Sequence, residues 1–179
     1  KDTTGSLIIC KNDEAHRNIA EQIKEHSVTR RYVGVVAGTF SEESGTVEGA
    51  IGRHPNDRKR MTINEKNGKP AVTHYRVLQT LKGASFMEFE LETGRTHQIR
   101  AHLAGTGHPL IGDYKYGRRT LNDEYRRKYG LKSQLLHAYR LEIPEIEGRL
   151  SYLSGKEFTA PLPYLFQKIL KEEHVEENK

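Results

Sequence analysis

One stretch of strict alternation constrains the fold more than any other feature of this 179-residue sequence. Within residues 85–93, Met87, Phe89 and Leu91 alternate with three glutamates. Because successive side chains of a β-strand point to opposite faces, this pattern predicts a strand with one face on a core and the other in water. Such half-buried strands are typical of antiparallel sheets.

The remaining segments predict further strands and a few helices. Runs of β-branched or aromatic residues between turn residues predict strands at 6–11, 29–37, 46–51, 72–81, 135–143 and 156–160. Amphipathic or capped segments predict helices at 13–26, 96–104, 121–129 and from 163 onward. The predicted fold class is α+β, a mostly antiparallel mixed sheet with a few flanking helices.

Length and composition limit the class of protein. No repeat or linker divides the chain, so we expect one domain at 1–170 and an acidic tail at 171–179 that frays. No apolar run approaches the roughly 18 residues of a membrane-spanning helix. Cys10 is the only cysteine, which excludes an intrachain disulfide and favours a reducing, cytoplasmic setting.

Positive charge is concentrated in one part of the sequence. Residues 91–140 hold ten lysines and arginines against four acids, whereas the whole chain has a net charge of only +5. A basic segment in a balanced chain is typical of a protein that binds a polyanion. An ordinary solvated surface has the same composition, so charge alone leaves both interpretations open.

The densest group of polar side chains lies at residues 93–102, where a predicted strand ends at Gly94 and a helix begins. Such a junction directs backbone N–H groups outward and suits phosphate or carboxylate binding. Arg95 and Arg100 add fixed charge, and an arginine fork binds an anion through two hydrogen bonds. The alternative is a surface helix whose arginines pair with nearby acids.

Metal binding and a nucleophile triad are both disfavoured. His97 and His102 are five residues apart and lie on different faces of a helix, unlike the ligands of a zinc helix. Cys10 lies in an apolar segment rather than at a strand-to-helix elbow. We therefore expect no metal site.

Two further groups could contact a nucleic acid. Residues 53–60 form a basic segment that is predicted to be a loop, since His54 precedes Pro55. Tyr32 lies among arginines on a predicted strand. Its ring could be part of the core or a platform on which a base stacks.

Several segments together resemble the RluA/RluD-type large-subunit rRNA pseudouridine synthases. They follow the order of that family and cover most of the chain, at 31–32, 51–55, 68–75, 93–103, 107–113, 116–117, 136–138 and 158–163. Gly-Arg-His-Pro at 52–55 and Gly-Lys-Pro-Ala-Val-Thr-His-Tyr at 68–75 are closer to the RluD branch. The resemblance implies an isomerase that converts uridine to pseudouridine in RNA and needs no cofactor.

The family's nucleophile is the Asp of a His-Arg-Leu-Asp-x-x-Thr-(Ser/Thr)-Gly motif. Thr3, Thr4 and Gly5 match the end of that motif, so the nucleophile is expected immediately before Lys1, and Asp2 is not that residue. The resemblance thus implies the carboxyl-terminal portion of a catalytic domain, with the N-terminal part of the pseudouridine synthase fold missing. On this basis we expect the chain alone to be inactive.

The resemblance also assigns roles to residues of this chain. Arg100 would pair with the nucleophile and lower its pKa, and replacing it is expected to abolish turnover with little effect on folding. Tyr32 would stack on the flipped base and assist proton removal from C5, and Ile99 would line the uracil pocket. Four residues would shape the site and contact RNA: Arg95, Thr96, His97 and Gln98. Four others are candidate phosphate contacts: Arg53, Arg58, Lys59 and Arg60.

The expected partner is RNA, first of all a 23S rRNA stem-loop, with a tRNA still open, and the expected state is a monomer. Two alternatives remain. One is a non-catalytic RNA-binding module of the same fold that has lost the carboxylate. The other is a domain whose basic surface binds acidic proteins. The residue encoded just before Lys1 discriminates between an enzyme and a binding module.

Overall fold

The computed structural model describes residues 2–175. Its strands are β1 Thr4–Gly5, β2 Thr29–Ala37, β3 Ser44–Glu48, β4 Ile51–His54, β5 Asp57–Ile63, β6 Val72–Leu81, β7 Ala84–Leu91, β8 Leu136–Glu142 and β9 Glu157–Thr159. Its α-helices are α1 Asp13–Lys24, α2 Gln98–Gly105, α3 Arg119–Tyr129 and α4 Tyr164–Glu172, and a 3-10 helix spans Gly148–Leu153. No helix within these described residues is long and apolar enough to cross a membrane.

A mixed, mostly antiparallel sheet forms the centre of the molecule. Its strand order is β1-β8-β2-β7-β6-β3, and β9 also pairs with β8. Only the short pairing of β1 with β8 is parallel among the strand pairs of residues 2–175. Strands β4 and β5 form a separate hairpin. The predicted α+β class is confirmed.

Helices cover both faces of the main sheet. On one face Val33 and Val35 of β2 pack in a cluster with Phe166 of α4. On the other face Val36 packs in a cluster with Ile99 of α2. The alternation of β2 between these clusters fixes which of its side chains face α2, and Tyr32 is one of them.

The predicted strand at 6–11 is wrong. Strand β1 ends at Gly5, and only Ser6 continues its pairing, with a backbone bond to Ala138. The alternation itself is real, since Ile8 and Cys10 pack on a core cluster while Leu7 and Ile9 are exposed. No neighbouring strand of the described chain pairs with this segment, so it remains extended but unpaired.

The predicted loop at 53–60 is also wrong, because most of these residues belong to the hairpin of β4 and β5. Residues 55 and 56 make the turn between the two strands. The extended conformation that Pro55 imposes on His54 suits the end of a strand as well as a loop. The other predicted elements agree with the structure to within three residues at each end.

The glutamate face of β7 is not simply solvated. Glu88 is buried, and it accepts hydrogen bonds from Arg31, Arg76 and Tyr139. Tyr139 is the extra residue of a bulge between β2 and β8. The alternation alone predicts that this face of the strand is in contact with solvent. In the structure an ion-pair network covers it around Glu88.

Part of the predicted acidic tail packs on the fold. Glu173 is buried and accepts hydrogen bonds from Lys128 and Tyr129 of α3. Burial raises the pKa of Glu173, but these bonds outweigh it and the pKa is lowered. His174 forms a bridge to Leu81. The rest of the predicted tail, 176–179, lies outside the described residues.

Candidate active site

The turn between β7 and α2 is organised by Gln98. Its side-chain oxygen accepts hydrogen bonds from Arg95 N at 3.0 Å and Thr93 Oγ1 at 2.6 Å. Its amide nitrogen donates to Val72 O at 2.9 Å and Thr73 Oγ1 at 3.0 Å. With the side-chain amide bonded at both ends and the residue 2% exposed, Gln98 holds the turn against β6.

Helix α2 begins at an unusual residue. His97 at its N-terminus has φ 56° and ψ 25°, in the left-handed region that non-glycine residues rarely adopt. This conformation makes the helix start two residues later than the pattern predicts. Such strain at a polar residue is common at functional sites.

Arg100 forms the strongest electrostatic contact of the site. Its Nε and Nη2 donate to Asp113 Oδ2 and Oδ1 at 2.6 and 2.8 Å, a two-bond contact with a fully buried carboxylate. Burial disfavours the charged guanidinium, but these bonds prevail and raise the pKa of Arg100. Asp113 Oδ1 also accepts the backbone N–H groups of Lys115 and Tyr116 at 3.0 Å each.

Tyr32 and Arg100 line one cavity of about 150 Å³. It holds most of the site residues expected from the sequence, and the residues that line it are Thr3, Tyr32, Leu91, Arg95, His97, Gln98, Ile99, Arg100 and Leu136. Burial raises the pKa of the Tyr32 hydroxyl, and Arg30 opposes the shift only in part. The phenol is therefore protonated at neutral pH.

A second cavity, of about 370 Å³, adjoins the first and shares His97 and Arg100 with it. Asp2, Lys115 and Lys132 also line this cavity. The first described residues of the chain thus lie beside the guanidinium, because β1 pairs with β8.

The remaining expected residues are distributed differently. Thr96 is exposed, and Arg95 Nε donates to Pro70 O at 3.0 Å. In the hairpin, Arg58 and Lys59 are exposed and form no ion pair with any residue of the described chain, 2–175. Arg53 Nη1 donates to the backbone oxygen of Arg58 at 3.0 Å.

Of the four hairpin residues expected from the sequence, Arg60 lies against Tyr116. Its guanidinium carbon lies 5.4 Å from the centroid of the Tyr116 ring, and that of Arg100 lies 4.8 Å from the same centroid. The structure therefore brings Arg60 to the edge of the site and leaves Arg58 and Lys59 on the open surface of the hairpin.

His102 is a structural residue. It is fully buried, with Nδ1 2.9 Å from Thr73 Oγ1 and Nε2 3.0 Å from Gly49 O. Within residues 2–175 no group of three or more potential metal ligands comes together.

Comparison with known proteins identifies the family. Residues 1–105 match the RNA pseudouridylate synthase family. The chain belongs to this family. The resemblance seen in the sequence motifs is thereby confirmed.

Relatives of the RNA pseudouridylate synthase family match nearly the whole chain. A protein of Synechocystis sp. named as an RNA pseudouridine synthase is 42% identical over 177 residues, 95% of this chain and 50% of the relative. Ribosomal large subunit pseudouridine synthase D of Nitrosomonas europaea is 46% identical over 144 residues, 80% of this chain and 41% of the relative. The chain spans about half the length of the curated relatives it matches.

A solved structure shares the fold. Human RNA pseudouridylate synthase domain containing 1 superimposes with a TM-score of 0.71 at 29% identity, over 86% of this chain and 62% of that one. The mixed sheet and its flanking helices are thus those of a pseudouridylate synthase domain.

Sequence reasoning missed two residues of this family member's site, Asp113 and Tyr116. Both lie in segments that match the family, yet neither has a local pattern that predicts its partner. Asp113 is 13 residues from Arg100, and Tyr116 is 19 from His97. The only available signal was an acid inside an otherwise basic segment, which indicates a carboxylate that pairs with one of the arginines.

Proposed function

We propose that this chain binds and orients a flipped uridine for isomerisation to pseudouridine in structured RNA, first of all in a 23S rRNA stem-loop. The observation that carries the proposal is the cavity that Tyr32 shares with Arg100, with Thr3 in its wall. Membership of the RNA pseudouridylate synthase family supports the reaction class. The likeness to a relative named for the large ribosomal subunit supports the substrate class.

In this reaction the C1′–N1 bond of uridine breaks, the uracil rotates and C5 bonds to C1′. The proton on C5 is released to solvent, and N1 takes up a proton. The base must leave its stack before either bond changes. A recess with an aromatic side chain and apolar walls, here Tyr32, Leu91 and Leu136, suits an extruded base. Ile99 is 4% exposed and closes the wall between the cavity and the core.

Arg100 has room for a second carboxylate. Asp113 takes Nε and Nη2, on one side of the planar guanidinium. Arginine has five N–H donors, so Nη1 and the second Nη2 proton remain for another acid. A nucleophilic Asp immediately before Lys1 would approach from the side where Asp2 and Thr3 already lie.

Asp113 weakens the effect that Arg100 can have on the pKa of that nucleophile. Its charge offsets much of the field of Arg100, so Arg100 alone would lower the pKa of a second acid less than an unpaired arginine does. Lys115 and Lys132 line the adjoining cavity and supply further positive charge. The three cations Arg100, Lys115 and Lys132 together would keep the nucleophile ionised.

Tyr32 is assigned to stacking. Because burial raises the pKa of its hydroxyl, the phenol keeps its proton at neutral pH and cannot accept the C5 proton in that form. Gln98 is assigned to shaping the turn, since its amide is bonded within the chain. Arg95 and Thr96, at the rim, remain proposed RNA contacts, and the monomeric state and cytoplasmic location remain predictions.

The proposal is tested with RNA that carries tritium at C5 of uridine. The protein as its gene encodes it is incubated with rRNA or tRNA from cells that lack the gene. Because C5 loses its hydrogen when it bonds to C1′, we expect tritium release from rRNA and a new pseudouridine at a defined position. Release from tRNA alone would correct the substrate, and RNA binding without release from either RNA would support a non-catalytic module instead.

The same assay applied to residues 1–179 alone tests the predicted inactivity. We expect no tritium release from this chain, and release comparable to that of the whole gene product would exclude a nucleophile before Lys1.

We predict that charge reversal in the hairpin weakens RNA binding without altering the site. Arg58→Glu with Lys59→Glu should lower affinity, because both side chains are exposed and unpaired in the described chain. The slope of log K against log salt should flatten by about 0.7–0.9 for each phosphate that the variant no longer neutralises. The measurement is filter binding of an rRNA fragment at several salt concentrations.

A matched pair of substitutions on α1 controls for net charge. Arg17→Glu with Lys24→Glu makes the same charge change on exposed residues of a helix whose Ile19 packs away from the hairpin. We expect its salt slope to equal that of the unmodified protein. A salt slope of the hairpin variant that also equals that of the unmodified protein would exclude the hairpin from the RNA interface.

A further inference from the structure

Tyr116 connects the hairpin to the start of α2. Its hydroxyl lies 2.8 Å from the backbone nitrogen of Met61 in β5 and 2.8 Å from Nδ1 of His97. The residue is 7% exposed, and its ring meets the His97 ring edge-on at 5.6 Å between centroids.

One of the two hydrogen bonds of this hydroxyl has a direction that its donor fixes. A backbone N–H can only donate, so the Tyr116 oxygen accepts from Met61. The hydroxyl proton is then free to be donated to His97 Nδ1. An imidazole that accepts at Nδ1 is neutral and carries its proton on Nε2.

The electrostatic surroundings agree with a neutral ring. Burial, together with the charges of Arg100 and Lys115, lowers the pKa of His97, and Asp113 opposes this only in part. The structure gives the His97 ring no other hydrogen bond to residues 2–175. His97 lines both cavities, so its Nε2–H is the polar group that remains for a ligand.

The same phenol ring lies between two cations. Arg60 of the hairpin and Arg100 of α2 both lie within 5.5 Å of its centroid. Apart from Tyr116, a bridge between Ile51 and Lys69 also ties the hairpin to the rest of the chain. Tyr116 therefore contacts both the hairpin and the ring nitrogen that decides the tautomer of His97.

We propose that Tyr116 is a positioning residue that fixes His97 as an Nε2–H donor to a carbonyl oxygen of the flipped uracil and holds the RNA-binding hairpin at the same site. This inference rests on the proposed function for the identity of the base. Its geometric part does not, because the contacts of Tyr116 with Met61 and His97 exist in the free protein.

The first test is Tyr116→Phe, which keeps the ring and removes only the hydroxyl. In the free protein, ¹⁵N NMR should show His97 as the Nε2–H tautomer, and the variant should lose that preference. The Met61 amide, left without its acceptor, should exchange with solvent at least about tenfold faster. Tyr164→Phe, at an exposed residue of α4, is the matched control and should change neither signal.

The second test asks whether Nε2–H acts on the substrate. A glutamine side chain can place an amide N–H near the position of Nε2, whereas an asparagine amide mimics Nδ1. In the tritium-release assay, kcat/KM of His97→Gln should therefore exceed that of His97→Asn by at least about tenfold.

The outcomes separate the two proposals. A charged or Nδ1–H imidazole in the free protein, or NMR signals unchanged in Tyr116→Phe, would overturn the positioning role. Equal activity of the Gln and Asn variants would overturn the donor role. Absence of tritium release from the unsubstituted whole gene product, with the NMR changes present, would overturn the proposed function and leave the contact geometry standing.

Discussion

Replacement of Arg100 by alanine is expected to destabilise the protein by about 3–5 kcal/mol, as well as to reduce turnover by at least about 10²–10³-fold. The cause is Asp113, which is 0% exposed and would keep an unpaired charge in the core. This differs from the sequence-based expectation that the fold would be nearly unaffected. The measurements are urea unfolding and tritium release.

A double variant separates charge from packing. In Arg100→Ala with Asp113→Asn, the amide oxygen still accepts from the backbone of Lys115 and Tyr116, while the buried charge is gone. The double variant should therefore be more stable than Arg100→Ala alone, although neither is active. Equal stability of the two would show that the buried carboxylate is not the cause.

Arg119 serves as the control for removal of an arginine. Its contact with Asp123 is 3.8 Å long and its side chain is 89% exposed. Exposed pairs contribute little, so Arg119→Ala should change stability by no more than about 0.5 kcal/mol.

Replacement of Gly112 by alanine is expected to destabilise the protein by about 2–5 kcal/mol. Gly112 has a φ of 82°, and an added Cβ would lie 2.3 Å from the backbone oxygen of Ser133 and 2.7 Å from Leu131 Cδ2. The left-handed conformation costs about 1–2 kcal/mol for alanine, and overpacking adds about 1–3 kcal/mol. Because Asp113 follows directly, the shift should also lower turnover.

Gly107 provides a control with the same backbone conformation. Its φ is also 82°, but an added Cβ meets nothing within 4 Å. Gly107→Ala should lose only the conformational part, about 1–2 kcal/mol by urea unfolding. If both alanine variants are destabilised equally, the contact with Ser133 does not constrain the segment that holds Asp113.

Local patterns predicted the fold well because most strands and helices carry their own signal. The alternation around Phe89 and the apolar run of β2 each predict a strand from neighbouring residues alone. The strand at 6–11 failed because pairing depends on a neighbour that the pattern does not contain. The hairpin was missed because charged residues dominate β5, which leaves no clear apolar period.

The residues themselves marked segment 93–102 and Tyr32 as candidates, and the family motifs supplied their expected roles. Tyr32, His97, Ile99 and Arg100 came from matching segments, and the structure places all four around one cavity. The partner of Arg100 and the hydroxyl that contacts His97 depend on how α2 packs against residues 113–116. Such long-range contacts have no counterpart in spacing or composition.

Strand β2 is hydrogen-bonded to β7 on one side and β8 on the other, so Tyr32 stands on a strand that is paired along both edges. The hairpin belongs to no larger sheet. Its turn at residues 55 and 56, with the exposed Arg58 and Lys59, is therefore the part of the proposed RNA-binding surface that the main sheet constrains least. Substitutions there could alter RNA binding while the cavity around Tyr32 keeps its shape.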